Sequence, residues 1–109
     1  MKRPTLSTLE QVIEQVEARR AAGQPLEGAR LYEEWIAHHD SPAKYVALFN
    51  LGVLRSDLGD LDRAEAAYAE ALRLNPRLYQ ARINAGLVAE RKGQDIEAVR
   101  HWLAVAEAV

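Results

Sequence analysis

Apolar residues recur along this chain at helical spacing. Between Tyr45 and Leu58 they fall at Val46, Leu48, Phe49, Leu51, Val53, Leu54 and Leu58, which predicts one helix. Gly59-Asp60 follows: a glycine to end that helix and a carboxylate to cap the next. Ala64, Ala67, Tyr68, Ala71, Leu72 and Leu74 then form the buried stripe of a second helix. Asn75-Pro76 closes it, with the proline placed to open the first turn of a third. β-branched residues are scattered and never alternate with polar ones, so no strand is predicted.

The pattern repeats. Tyr45, Ala47, Asn50, Gly52, Gly59 and Ala64 each have the same residue 34 positions later, at Tyr79, Ala81, Asn84, Gly86, Gly93 and Ala98. Trp102 takes the slot of Tyr68, and Val105 that of Ala71. Glycine inside a helix costs about 1 kcal/mol against alanine. Finding that cost twice at one slot, Gly52 and Gly86, predicts a close approach by the partner helix. Ala64 and Ala98 are expected as the facing small residues, with the Tyr68 or Trp102 ring one turn further on.

Residues before 45 read as a looser copy. Ser7 and Glu10 have the spacing of a capping box, and Leu9, Val12, Ile13 and Val16 follow as a stripe. Gly23-Gln24-Pro25 makes a turn, Gly28 and Trp35 take small-residue slots, and Tyr32 takes the aromatic slot. Ser41-Pro42 is expected to cap the next helix. The link to the second copy is two residues longer than the period. The predicted architecture is all-α: a single domain over 1–109, with a tail at 1–6, a degenerate repeat at 7–40 and repeats at 41–76 and 77–109.

Leu51-Gly52, Ala64, Tyr68, Ala71 and Pro76, followed by Ala85-Gly86, Ala98, Trp102 and Val105, resemble the tetratricopeptide repeat (TPR). The chain departs from that pattern at Arg55 and Ala89, where an aromatic is usual, and at Leu48, where tryptophan is common. The resemblance implies an α-solenoid of three antiparallel helix-turn-helix hairpins in a right-handed superhelix. The first helix of each hairpin would line a concave face that binds a peptide or an extended polypeptide, so a protein scaffold is expected. The wording of residues 47–54, 59–60, 64–68 and 81–84 is also similar to the repeats of bacterial SPINDLY/O-linked N-acetylglucosamine transferase-type proteins. That likeness implies, as an alternative, a substrate-recruiting module of a larger glycosyltransferase.

The concave slots implied by the family are Val46, Phe49, Asn50, Val53 and Asp57, then Gln80, Ile83, Asn84, Leu87 and Arg91, and in the first hairpin Glu10, Ile13, Glu14 and Glu17. Asn50 and Asn84 share one slot, and an amide offers a donor beside an acceptor, suited to a peptide backbone. Phe49, Val53, Ile83 and Leu87 flank them for apolar side chains. The family's other mode, a clamp for a C-terminal carboxylate, is not expected. Its slots hold Ile13, Glu17, Asn50, Gln80 and Asn84, and Glu17 repels a carboxylate.

Composition removes other classes. A net charge of −2, with charged residues at 28% of the chain and both signs interspersed, gives no stripe for nucleic acid phosphates. No apolar run approaches the ~20 residues that span a bilayer. Without cysteine there is no disulfide or thiolate metal site. Adjacent helical residues point about 100° apart, so His38-His39 reads as a helix C-terminal cap and not a metal site, and Glu33-Glu34 as a solvated face. No catalytic constellation is present, and no enzyme activity, cofactor or metal is expected in this segment. A bacterial, cytoplasmic protein is expected.

The last helix is apolar around much of its girth, through Ala98, Val99, Trp102, Leu103, Val105, Ala106 and Val109. A terminal solenoid helix normally carries a polar outer face. Val99, Trp102, Leu103 and Ala106 are therefore expected to meet a further repeat, a partner or a second copy in a homo-oligomer.

Overall fold

The structure, a computed structural model, describes residues 8–108. The expected tail at 1–6, Ser7 and Val109 lie outside the described residues. Six helices run in order: α1 (Leu9–Ala21), α2 (Pro25–His38), α3 (Lys44–Asp57), α4 (Leu61–Leu74), α5 (Tyr79–Arg91) and α6 (Asp95–Ala108). Among the described residues there is no strand. Successive helices pack on one another, so α1–α2, α3–α4 and α5–α6 are hairpins, and α2–α3 and α4–α5 are the joints between them. This is the predicted helical solenoid.

Each hairpin turn is built the same way. Gly59 has φ +79°, and Gly23 and Gly93 have +74° and +78°, a region open to glycine and strained for other residues. That twist turns the next N–H back onto the helix it has just left. Asp60 N donates to Arg55 O at 2.9 Å, and Gln24 and Gln94 repeat the bond to Arg19 O and Ala89 O at 2.8 Å. Asp60 then caps α4, its Oδ1 accepting from Arg63 N at 3.3 Å.

Three local expectations are corrected. The capping box of α1 is Thr8 with Gln11, not Ser7 with Glu10: Thr8 Oγ1 accepts from Gln11 N at 3.2 Å, and Thr8 N donates to Gln11 Oε1 at 2.9 Å. Both pairs fit the motif, and the helix starts one residue later. Pro76 does not open α5, which begins at Tyr79. It sits inside a turn in which Asn75 Oδ1 accepts from Arg77 N at 3.2 Å and Asn75 O from Leu78 N at 3.1 Å. Ser41-Pro42 is the same device 34 residues earlier: Ser41 Oγ accepts from Ala43 N, and Ala43 is the cap of α3.

Two apolar clusters form the core, and each crosses a joint between hairpins. One gathers Val12, Val16, Ala29, Tyr32, Trp35, Ala47, Leu51, Leu54 and Ala67. The other gathers Ala64, Tyr68, Leu72, Ala81, Ala85 and Val88. Stability is thereby tied to stacking, since no hairpin covers its own faces alone.

Candidate functional site

The close approach expected at Gly52 and Gly86 is present, but an aromatic ring makes it. A methyl on Gly52 would lie 2.5 Å from Tyr68 Cε1, and one on Gly86 2.7 Å from Trp102 Cδ1. A helical side chain leans toward its own N-terminus. The aromatic ring therefore takes the spot opposite the glycine that had been assigned to Ala64 and Ala98. Seating the Tyr68 ring there brings its hydroxyl through to Asn84 on the inner face of the stack, the side of α1, α3 and α5.

That inner face holds two recesses. The first, about 250 Å³, is floored by Ile13, Val16, Phe49, Val53 and Leu54 and edged by Glu17, Arg20, Tyr32 and Asn50. The second, about 170 Å³, is bounded by Val53, Ser56, Asp57, Tyr68, Asn84 and Leu87. Val53 belongs to both, so they form one groove running across the helices.

Of the residues predicted for the site, Ile13, Glu17, Phe49, Asn50, Val53, Asp57, Asn84 and Leu87 are brought together in the groove. Glu10, Glu14, Arg91, Gln80, Val46 and Ile83 line neither recess. Gln80 is exposed and supports Asn84, its Nε2 donating to Asn84 Oδ1 at 2.9 Å. Val46 and Ile83 are half-buried, and the Ile83 carbonyl accepts from Trp102 Nε1 at 3.4 Å. Sequence reasoning missed Val16, Arg20, Tyr32, Leu54, Ser56 and Tyr68.

The tyrosines change the reading of the asparagines. Asn84 Nδ2 donates to the Tyr68 hydroxyl at 3.4 Å, and Asn50 lies near enough to the Tyr32 hydroxyl to lower its pKa. Asn84 is thus held by a buried ring of the preceding hairpin, and Asn50 stands beside the corresponding ring, Tyr32. Asn84, bonded to both Tyr68 and Gln80, still keeps one N–H and one oxygen lone pair for a guest. At Asn84 the slot therefore carries a joint between hairpins.

Burial pushes the hydroxyls of Tyr32 and Tyr68 above the ordinary value of 10.0, and the asparagines pull them only part of the way back. The folded chain therefore holds these protons more tightly than the unfolded chain. Their contribution to stability is whole below about pH 10 and lost as the pH rises through the raised values. We expect urea midpoints to fall as the pH rises above about 10, and the fall to be shallower in Tyr32→Phe/Tyr68→Phe. An equal fall in both proteins would refute this.

Charged side chains tie the hairpins together around the groove. Arg20 lies 3.4 Å from both Glu17 and Asp57. Arg91 Nη1 donates to Ser56 O at 3.1 Å and Ser56 Oγ at 2.9 Å. Arg55, at the slot usually aromatic, is 4% exposed and pairs with Glu33 at 2.9 Å, with Asp60 at 3.7 Å. Glu33 is therefore more than part of a solvated face. His38 and His39 bond through Nδ1 to the Glu34 and Trp35 carbonyls at 2.8 Å, and His39 stacks on Trp35: both cap α2.

On α6, Ala98 is buried and Trp102 half-buried, while Val99 and Leu103 are 48% and 52% exposed and Ala106 is exposed. Among the described residues no group of three or more His, Cys, Asp or Glu is placed to hold a metal. None of the helices is long and apolar enough to cross a membrane.

Residues 45–78 match the profile of the tetratricopeptide repeat, and the stacked hairpins, with glycines seating aromatic rings beside an inner groove, agree with that repeat. The Photosystem I assembly protein Ycf3 of Acaryochloris marina (strain MBIC 11017) is 36% identical over 67 residues, 61% of this chain and 40% of that protein. The protein of the same name from Synechococcus elongatus is 30% identical over 96 residues, 81% of this chain and 56% of that protein. In fold, the crystal structure of MamA superposes with a TM-score of 0.84 at 22% identity, over 94% of this chain and 59% of MamA. MamA from Desulfovibrio magneticus RS-1 gives 0.80 at 24% identity, over 95% of this chain and 58% of that one. This chain thus spans 40% to 59% of the length of these proteins. The finer likeness to SPINDLY/O-linked N-acetylglucosamine transferase-type repeats finds no support in these comparisons.

Proposed function

We propose that this chain is a protein-interaction scaffold that holds an extended polypeptide across α1, α3 and α5. The observation that carries the proposal is the pair of recesses meeting at Val53, each with an asparagine amide at its edge, that of Asn84 fixed by the buried Tyr68. The recesses take apolar side chains, and the amides bond the backbone between them. Packed helices lie 8–10 Å apart, and an extended chain rises about 3.1–3.4 Å per residue, so the guest's apolar anchors stand about three residues apart. The relatives named as assembly proteins support a scaffold, and nothing in the groove is arranged for bond making or breaking.

The test is fluorescence anisotropy with a short labelled peptide carrying two leucines three residues apart. Asn50→Ala/Asn84→Ala is expected to weaken binding roughly tenfold, the loss of two hydrogen bonds of about 1 kcal/mol or less each. Unchanged affinity in a variant that stays folded would overturn the proposal.

A second reading concerns α6. Lys92 of α5 sits on Asp62 and Glu65 of α4, at 2.7 and 3.1 Å. One period later those two slots hold Ile96 and Val99, 71% and 48% exposed. A further repeat with a lysine like Lys92 has no acid to meet there, so an apolar occupant is favoured, such as α6 of a second copy. Light scattering is expected to show a dimer that Val99→Glu/Leu103→Glu returns to monomer. A monomeric parent at high concentration would exclude it.

A further inference from the structure

We infer that the groove is selective for charge, and that its guest is a polypeptide with cationic side chains beside its apolar anchors, the cationic stretch lying along α1. This rests on the groove reading above and adds the chemistry of the partner.

The inference comes from a line of exposed carboxylates on α1, of which Glu17 lines the groove. Glu10, Glu14 and Glu17 are exposed on α1 and spaced so that they share a flank of that helix. Glu17 lines the first recess, and Asp57 lines the second. Arg20 is divided between Glu17 and Asp57, 3.4 Å from each, so the carboxylates outnumber the guanidinium set among them. The chain as a whole carries only −2, so this is a local surplus.

Position matters as much as sum. Glu14 stands on α1 at the slot that Asn50 holds on α3 and Asn84 on α5. The inner row thus runs carboxylate, amide, amide. An amide both donates and accepts, so it is indifferent to the charge of its guest. A carboxylate only accepts, and it bonds most strongly to ammonium and guanidinium donors. At the far end Arg91 is engaged by Ser56. The groove therefore offers apolar floors at its centre and negative charge along α1. A guest with Lys or Arg at one end and apolar side chains following satisfies both, whereas a guest ending in carboxylates meets repulsion.

Rim charges act mainly through encounter rate and salt dependence, and their reach is about 8–10 Å at physiological ionic strength. The experiment uses the full chain and three labelled peptides with the same two leucines three residues apart. A pair of lysines, of serines or of glutamates flanks the leucines. We expect the lysine peptide to bind roughly tenfold more tightly than the serine peptide at low salt, and the glutamate peptide more weakly still. The differences should shrink as salt is raised. Glu10→Gln/Glu14→Gln/Glu17→Gln should remove most of the lysine advantage with the helical circular dichroism intact. Equal binding of all three peptides would overturn the charge inference and leave the groove reading standing. A lysine advantage undiminished in the triple variant would also overturn it, by placing the selectivity elsewhere. Failure of every peptide to bind would overturn both.

Discussion

Gly52→Ala is expected to destabilise the protein by about 1–3 kcal/mol, although alanine is the better helix former by about 1 kcal/mol. The added methyl would stand 2.5–2.8 Å from three atoms of the Tyr68 ring. That ring cannot retreat. It is 1% exposed, is packed in the cluster with Ala64, Leu72, Ala81, Ala85 and Val88, and is tied by its hydroxyl to Asn84. Relief therefore needs α3 and α4 to part, which opens the core. The same change at Gly86 is expected to cost less, because the crowded partner, Trp102, is only half-buried and can swing outward. Urea denaturation of the two variants reads the difference. Tyr68→Ala should make Gly52→Ala nearly free in a double-mutant cycle. A stabilised Gly52→Ala protein would show that the ring does not fill that space.

The second large effect belongs to Arg55. Its guanidinium is buried between α2, α3 and the start of α4, with Glu33 and Asp60 as counter-charges and its Nε without a hydrogen-bond partner. A buried charge that loses its partners is costly, whereas replacing the whole arrangement with an apolar side chain is often neutral or better. Glu33→Gln/Asp60→Asn keeps shape and the helix cap but removes both negative charges, and should cost about 2–3 kcal/mol. The figure sits below the full penalty because Glu33 is 45% exposed and water reaches it. Arg55→Leu alone should leave stability within about 1 kcal/mol of the parent or raise it. Added to the double variant, it should restore most of the loss. Arg55→Leu proving worse than Glu33→Gln/Asp60→Asn would mean that the ion pair itself, and not the space it fills, holds the joint.

Much of this was legible in the residues because the fold repeats. A glycine needed for a left-handed turn recurs at Gly23, Gly59 and Gly93, and a glycine needed for ring seating recurs at Gly52 and Gly86. Each carries a local steric demand, and local demands are visible along a chain. Contacts between hairpins were not. Glu33 lies 22 residues from Arg55, and only the register of α2 against α3 brings them together, so along the chain Arg55 shows only as a departure from the aromatic slot. The asparagines are legible as a row, but the tyrosines beside them are not, since the Tyr68–Asn84 bond, like the approach of Tyr32 to Asn50, joins two different hairpins. Its signal was present in the repetition of both residues: Tyr32 and Tyr68 precede Asn50 and Asn84 by similar intervals, and the extra two residues lie in the first link. Capping motifs were ambiguous for a simpler reason. Ser7 with Glu10 and Thr8 with Gln11 both satisfy the pattern, and the position of Leu9 as the first helical residue decides between them.

The central claim is that the inner flank of α1, α3 and α5 is where a polypeptide is held. Amide chemical-shift mapping on titration with the lysine-flanked peptide tests it most directly. Perturbations should concentrate at Ile13, Glu17, Asn50, Val53, Asn84 and Leu87, with the side-chain amides of the two asparagines among the largest. Perturbations gathered instead on α2, α4 and α6, with the groove residues silent, would contradict it.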